Sequence, residues 1–157
     1  MGLEIERKFL VDHEKWSKVD KGTGVHYRQG YLLTDPQKTI RVRLTDTRAW
    51  LTIKGISKGA TRAEYEYEIP ASEASELLDN LSVSELSKIR YRIEFDGNVW
   101  EVDEFSGENQ GLIVAEIELT SEDEQFVTPG WITKEVTGEE RYYNSNLSIH
   151  PYSRWNA

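Results

Sequence analysis

The chain has 157 residues, a length typical of a single domain with a substantial hydrophobic core. It contains no cysteine, which excludes disulfides, thiolate catalysis and cysteine-bound metal centres. It also shows no secretory signal and no long apolar segment, so we expect a cytoplasmic protein. Its net charge of −9 argues against nucleic acids and membranes as partners, so a phosphate-bearing ligand requires a local basic site.

Stretches with charged residues at every second position recur along the chain and predict antiparallel strands. Strands are predicted at 3–11, 26–33, 39–45, 48–54, 62–69, 87–95, 98–105 and 112–120. The pair Asp96-Gly97 predicts a tight hairpin between two of them. Helices are predicted at 13–18, from Ser72 onwards, at 121–127 and as short helices and turns along 129–157.

The composition of the polar strand faces separates two interpretations. Charged residues that alternate with apolar ones most often mark a strand with one face in water. Here the polar positions are nearly all Glu, Asp, Arg and Lys, and like charges recur two apart, as in Glu4/Glu6 and Glu116/Glu118. Such side chains lie about 6–7 Å apart and repel each other unless a counterion lies between them. The pattern therefore predicts a surface that holds a metal ion and a polyanion together.

An enclosed charged surface requires a curved sheet, and closure into a barrel also removes the exposed edges. We therefore predict an α+β fold that is mainly antiparallel β: a closed eight-stranded β-barrel tunnel with a few flanking helices, in one domain over 1–157. The apolar alternate residues then point outwards. Because the helices cover only part of them, we expect self-association as a homodimer.

Seven short motifs follow one another along the predicted strands. They are ExExK at Glu4–Lys8, RxRL at Arg41–Leu44, TxKG at Thr52–Gly55, ExExE at Glu64–Glu68, KxRY at Lys88–Tyr91, ExD at Glu101–Asp103 and ExE at Glu116–Glu118. In this order they resemble the CYTH domain family, the triphosphate tunnel metalloenzymes, over about residues 3–150. The resemblance implies an eight-stranded barrel and hydrolysis of triphosphates with Mg²⁺ or Mn²⁺. The short chain is similar to bacterial members that act on inorganic triphosphate.

Charge chemistry and the resemblance together suggest three groups of site residues. Carboxylates suit Mg²⁺ or Mn²⁺, and the metal-binding candidates are Glu4, Glu6, Glu64, Glu66, Asp103, Glu116 and Glu118, of which the resemblance favours Glu4, Glu6 and Glu118 as direct ligands. The candidates for binding phosphate are Lys8, Arg41, Arg43, Lys54, Lys88, Arg90 and, from the resemblance alone, Arg141. The catalytic candidates are Lys8, Tyr31 and Lys88.

The role of Lys8 as a general base depends on its pKa, which neighbouring cations lower and Glu6 raises. Tyr31 is a candidate because it resembles a tyrosine that some short family members place near the substrate.

Functions of several classes are compatible with this sequence. The leading hypothesis is a metal-dependent hydrolase of a small triphosphate, inorganic triphosphate above all. In relatives the same tunnel also serves adenylate cyclases and nucleoside or thiamine triphosphatases. Outside the enzymes, the alternatives are a polyphosphate- or nucleotide-binding module and a charged β-sandwich interaction domain.

Overall fold

The computed structural model describes residues 2–155 and shows nine strands and three α-helices in that part of the chain. The strands are β1 (Leu3–Val11), β2 (Val25–Asp35), β3 (Lys38–Leu44), β4 (Ala49–Gly55), β5 (Thr61–Ile69), β6 (Ser84–Phe95), β7 (Asn98–Phe105), β8 (Ile113–Glu118) and β9 (Ile132–Glu135). The helices are α1 (His13–Ser17), α2 (Ala71–Leu81) and α3 (Asn144–Leu147). Within residues 2–155, no helix has the length and apolar character needed to cross a membrane.

Eight of the strands form a closed antiparallel barrel in the order β5-β4-β3-β2-β6-β7-β8-β1. Strand β1 closes the ring by pairing with β5, so that Leu3 lies opposite Ala63. The predicted fold is thus confirmed, with β9 as one additional strand. The predicted hairpin is also present: Asp96 and Gly97 have φ values of 51° and 81°, as a type I′ turn requires.

The hydrophobic core lies on the outside of the barrel, because the charged alternate residues point inwards. One cluster gathers aromatic rings from β1, α1, β7 and the segment before β9: Phe9, Trp16, Trp100 and Trp131. In another, α2 lies across β3 and β4, where Ala74 and Leu78 pack on Val42 and Ala49. A third lies under α3 and includes Leu86, Phe105, Val114 and Leu147. The outer face of β4 and β5 stays partly uncovered, with Tyr65 and Tyr67 exposed, and self-association remains a prediction.

The segment after β8 differs from the prediction, since residues 121–127 form a turn followed by irregular chain and not a helix. The Glu124 carboxylate does accept from the Thr120 backbone N–H, at 2.6 Å, as a cap would. However, the Phe126 ring packs against Phe9 and Trp100, and the segment that carries it has no regular structure. Tertiary packing thus overrides the local helix signal.

The tail also contains a strand that the sequence analysis did not predict. Strand β9 pairs antiparallel with β1, with Glu135 opposite Phe9. The Arg7 guanidinium donates to both carboxylate oxygens of Glu135, at 2.8 and 2.6 Å. Strand β9 has only four residues, mainly polar, which is too short an alternation to predict a strand. Its pairing with β1 stabilises it instead.

Candidate active site

A polar cavity inside the barrel is lined by equal numbers of cationic and acidic side chains. The seven cationic residues are Lys8, Arg41, Arg43, Lys54, Arg62, Lys88 and Arg90. The seven acidic ones are Glu4, Glu6, Glu64, Glu66, Glu101, Glu116 and Glu118. The remaining lining residues are Tyr27, Tyr31, Thr39, Tyr143, Asn144 and Ser145. At full ionisation the lining charges therefore sum to zero, whereas the whole chain carries −9.

The two-residue period of the strands brings these groups together. On β1, Glu4, Glu6 and Lys8 share the inward face. The antiparallel register with β8 then places Glu6 opposite Glu118 and Lys8 opposite Glu116. Carboxylates that are more than a hundred residues apart in the chain therefore become neighbours, as closure of the barrel predicted.

One side of the cavity is organised around Asp103, which is 1% exposed and lies behind the lining residues. Its carboxylate accepts from Lys88 Nζ at 2.9 Å and from the Arg90 guanidinium at 2.7 and 2.9 Å. Burial alone would raise the pKa of Asp103, but the adjacent Arg90 and Lys88 lower it below its ordinary value. Burial lowers the pKa of Lys88 to about 7, although Asp103 opposes the shift.

The arginines of β3 lie beside this group and carry unused donors. Glu66 accepts from Arg43 at 2.9 Å and from the Thr52 hydroxyl at 2.7 Å. The Nε atoms of Arg41 and Arg43 are buried, and within residues 2–155 they have no hydrogen-bond partner. A buried donor without an acceptor costs about 1–3 kcal/mol, and both arginines line the cavity.

Glu6 on β1 and Glu118 on β8 have raised pKa values, in contrast to Asp103. Burial, Glu116 and Glu4 all raise the pKa of Glu6, and burial followed by Glu4 raises the pKa of Glu118. Such mutual repulsion among hard oxygen donors fits a divalent cation between them.

The carboxylates are not yet gathered around one point. Among residues 2–155, no three acidic or histidine side chains are already arranged around a single metal position. Glu4 instead accepts from Lys54 at 3.1 Å, and Glu116 pairs with Arg90 at 2.9 Å and with Lys8 at 3.4 Å. Lysine and arginine thus provide the positive charge for these carboxylates, and Glu6 and Glu118 are the members best placed to bind a cation.

The candidate catalytic residues differ in their surroundings. Tyr31 is 3% exposed and lines the cavity. Lys8 Nζ donates to the Tyr142 carbonyl at 3.3 Å and lies near Glu116. Burial lowers the pKa of Lys8, but Glu116 and Glu6 outweigh burial and raise it overall. A raised pKa favours the cationic form of Lys8, which suits phosphate binding better than proton abstraction.

All of the predicted site residues line the cavity except two. Asp103 was predicted as a metal ligand, but its carboxylate bonds to Lys88 and Arg90 behind the lining. Arg141 was predicted to bind phosphate, but its side chain is exposed and its guanidinium stacks over the Trp155 ring at 3.8 Å.

The structure adds residues that the sequence analysis did not select. Arg62 lines the cavity and continues the alternation of β5, so the period-two pattern contained its signal. Tyr27 lies two positions before Gln29 on β2 and carries no charge to mark it. Tyr143 and Asn144 reach the cavity from the tail, where the sequence carries no strand alternation.

Comparison with known proteins agrees with this architecture. A family model described as the CYTH domain matches residues 2–149. The chain belongs to the CYTH domain family. It is 50% identical over 156 residues to an inorganic triphosphatase of Acetivibrio thermocellus, with 99% of each chain covered. It is 36% identical over 151 residues to an inorganic triphosphatase of Nitrosomonas europaea, which covers 93% of this chain and 97% of that relative.

A solved structure shows the same similarity in three dimensions. The crystal structure of the inorganic triphosphatase NE1496 is similar to this CYTH chain with a TM-score of 0.64 and 34% sequence identity, covering 93% of this chain and 94% of the other.

Proposed function

We propose that this CYTH chain is a metal-dependent triphosphatase that hydrolyses inorganic triphosphate to diphosphate and phosphate. The observation that carries the proposal is the enclosed cavity in which seven cationic side chains face seven carboxylates. Two named inorganic triphosphatases, 50% and 36% identical to the chain over nearly their whole lengths, support this choice of substrate. The alternative of a charged β-sandwich interaction domain is incompatible with the closed barrel.

The charge balance supports a requirement for metal. A triphosphate that enters alone meets a lining whose charges sum to zero, so the cations are already neutralised by carboxylates. A divalent cation that enters with the triphosphate restores the attraction. Glu6 and Glu118, which line the cavity together with Glu4, would hold Mg²⁺ or Mn²⁺, and the bound ion would supply positive charge to the triphosphate and lower the pKa of a bound water.

The chain's own residues bind and orient the triphosphate. Arg41 and Arg43 offer the free Nε donors described above, and guanidinium groups bind phosphate oxygens through paired hydrogen bonds. Lys88 and Arg90 are held in place by Asp103, so they are already oriented to stabilise charge that develops on the leaving diphosphate. The enclosed barrel limits competing solvent and strengthens these interactions.

A phosphate-release assay tests the proposal. The purified chain is assayed with Mg²⁺ and then with Mn²⁺ on inorganic triphosphate, ATP and thiamine triphosphate. We expect turnover of inorganic triphosphate above the other two substrates, loss of that turnover in Glu6→Gln, and normal turnover in Glu76→Gln on the exposed face of α2. A preference for ATP would make the chain a nucleotide enzyme, and binding without phosphate release would make it a polyphosphate-binding module.

A further inference from the structure

Gln29 is a buried amide at the centre of β2 for which the proposed function provides no role. Its side chain is 0% exposed, and it lies on the inward face between the lining residues Tyr27 and Tyr31. It does not itself line the cavity. Its Oε1 atom is buried and has no hydrogen-bond partner within residues 2–155, which costs about 1–3 kcal/mol. An apolar side chain of similar size would avoid that cost, so the amide needs another explanation.

The amide nitrogen of Gln29 connects the candidate catalytic residues Tyr31 and Lys88, the second of them through Asn144. Nε2 donates to the Tyr31 hydroxyl oxygen at 2.9 Å and to Asn144 Oδ1 at 3.3 Å. The same Asn144 oxygen accepts from Lys88 Nζ at 2.8 Å, and Lys88 also donates to Asp103 at 2.9 Å. A continuous chain of hydrogen bonds therefore extends from Asp103 through Lys88, Asn144 and Gln29 to Tyr31.

The donor and the acceptor of each hydrogen bond in this series follow from Asp103, its buried end. The carboxylate of Asp103 can only accept, so Lys88 donates to it, and Lys88 donates a second hydrogen to Asn144. Asn144 must therefore present its oxygen on this side. Gln29 then has to present its NH₂ group, because the reversed amide would bring two acceptor oxygens together.

The consequence for Tyr31 is that its oxygen accepts a hydrogen bond from Gln29. Its own O–H is thereby left free of Gln29, and its side chain lines the cavity. A phenol held in this way is a donor oriented before the substrate arrives. Such preoriented donors are most effective when they stabilise an oxygen that gains negative charge in the transition state.

We infer that Gln29 is a positioning residue that orients the Tyr31 hydroxyl as a hydrogen-bond donor to an oxygen of the bound triphosphate, and that Asn144 sets the orientation of the Gln29 amide. The inference depends on the proposed triphosphatase function. Gln29 acts through Tyr31 because its buried side chain does not reach the substrate cavity.

A double-mutant cycle tests this inference. Phosphate release from inorganic triphosphate is measured for the wild type, Gln29→Met, Tyr31→Phe and the combined variant, with Gln37→Met in the exposed β2–β3 turn as the matched control. We expect Gln29→Met to lower kcat about tenfold with KM changed by less than about twofold, and Tyr31→Phe to lower kcat by ~10–100-fold. In the Tyr31→Phe background, Gln29→Met should change kcat by less than about twofold, because the residue it positions is absent.

Thermal unfolding is measured for each variant, and Gln29→Glu provides a second probe should Gln29→Met fail to fold. A carboxylate at this position accepts from the Tyr31 hydroxyl, which reverses the bond, so kcat should fall although the shape is kept. A folded Gln29→Met with the kcat of the wild type, or an equal loss in both backgrounds, would overturn the inference alone. A wild-type chain without activity would overturn the proposed function together with it.

Discussion

Asp103 accepts hydrogen bonds from two buried cations, Lys88 and Arg90, and is itself 1% exposed. Removing one member of a buried ion pair leaves uncompensated charge and costs about 3–5 kcal/mol. We therefore expect Asp103→Asn to lower the free energy of unfolding by ~3 kcal/mol, measured by urea denaturation. The kcat should fall too, because Lys88 and Arg90 lose the partner that orients them.

The matched control is Asp79→Asn, which removes a carboxylate paired with Arg28 at 2.8 Å on the surface. Asp79 is more than half exposed, so its substitution should cost less than about 1 kcal/mol. If both substitutions lowered the free energy of unfolding equally, burial would not strengthen the contribution of Asp103 to stability.

The sequence indicates which residues are charged and which face of a strand they share. The structure places every predicted site residue except Asp103 and Arg141 in the lining of the cavity. The sequence does not predict what each residue does there. Glu101 and Asp103 have the same signal in the alternation of β7, yet Glu101 lines the cavity and Asp103 lies behind it. Their partners differ in the folded barrel: Asp103 accepts from the buried Lys88 and Arg90, whereas Glu101 pairs with Arg90 and with the exposed Arg92.

At the level of elements, β9 provides a pH-dependent test, since Glu135 joins it to Arg7 of β1. Hydrogen bonds from Arg7 lower the pKa of Glu135 below its ordinary value of 4.5, while partial burial opposes the shift. A lowered pKa means that the carboxylate stabilises the fold above pH 4.5, and that this contribution disappears as the pH falls through the folded value.

Both partners are about one-third exposed, so the pair is weakened by solvent. We expect Glu135→Gln to lower the free energy of unfolding by ~0.5 kcal/mol at neutral pH. The difference from the wild type should shrink towards zero as the pH falls below 4.5 and through the lowered pKa of Glu135 in the folded chain. Denaturant unfolding at a series of pH values measures this difference in the free energy of unfolding, with Glu73→Gln on the exposed side of α2 as control. A difference that grows at acid pH would contradict this assignment.

Seven of the eight barrel strands carry their own alternation of charged and apolar residues, which is a local signal. Strand β9 has four residues and gains its place only by pairing with β1. The helix predicted at 121–127 is absent although its signal is local, because Phe126 packs against the rings of Phe9 and Trp100 on other strands. Elements whose signal is local were thus predicted, and those defined by long-range contact were not.

For the whole molecule, the decisive quantity is the balance of charge between the cavity and the rest of the chain. At full ionisation the charges of the lining sum to zero and those of the chain to −9, so the surroundings of the cavity are acidic. Triphosphate without metal therefore meets no net attraction at the site and long-range repulsion on its approach. Sequence composition gives the −9, but the neutral lining depends on closure of the barrel, which brings together charged residues from seven of its strands.

Calorimetric titration of inorganic triphosphate into the wild-type chain tests this balance, first with EDTA and then with Mg²⁺. We expect affinity at least about tenfold higher with Mg²⁺, which is about 1.4 kcal/mol, because the divalent cation offsets the repulsion between the triphosphate and its acidic surroundings. The double variant Glu6→Gln/Glu118→Gln removes two carboxylates from the lining. It should bind metal-free triphosphate more tightly than the wild type does, and yet release no phosphate.

The matched control replaces two exposed carboxylates outside the barrel, Glu73→Gln/Glu76→Gln, and changes the net charge of the chain by the same amount. If net charge alone governed binding, both double variants would gain affinity equally. If the balance inside the cavity governs it, only Glu6→Gln/Glu118→Gln gains metal-free affinity and only that variant loses turnover. Tight binding of triphosphate by the wild type in EDTA would contradict the metal requirement directly, since the cavity would then attract the polyanion with its own residues alone.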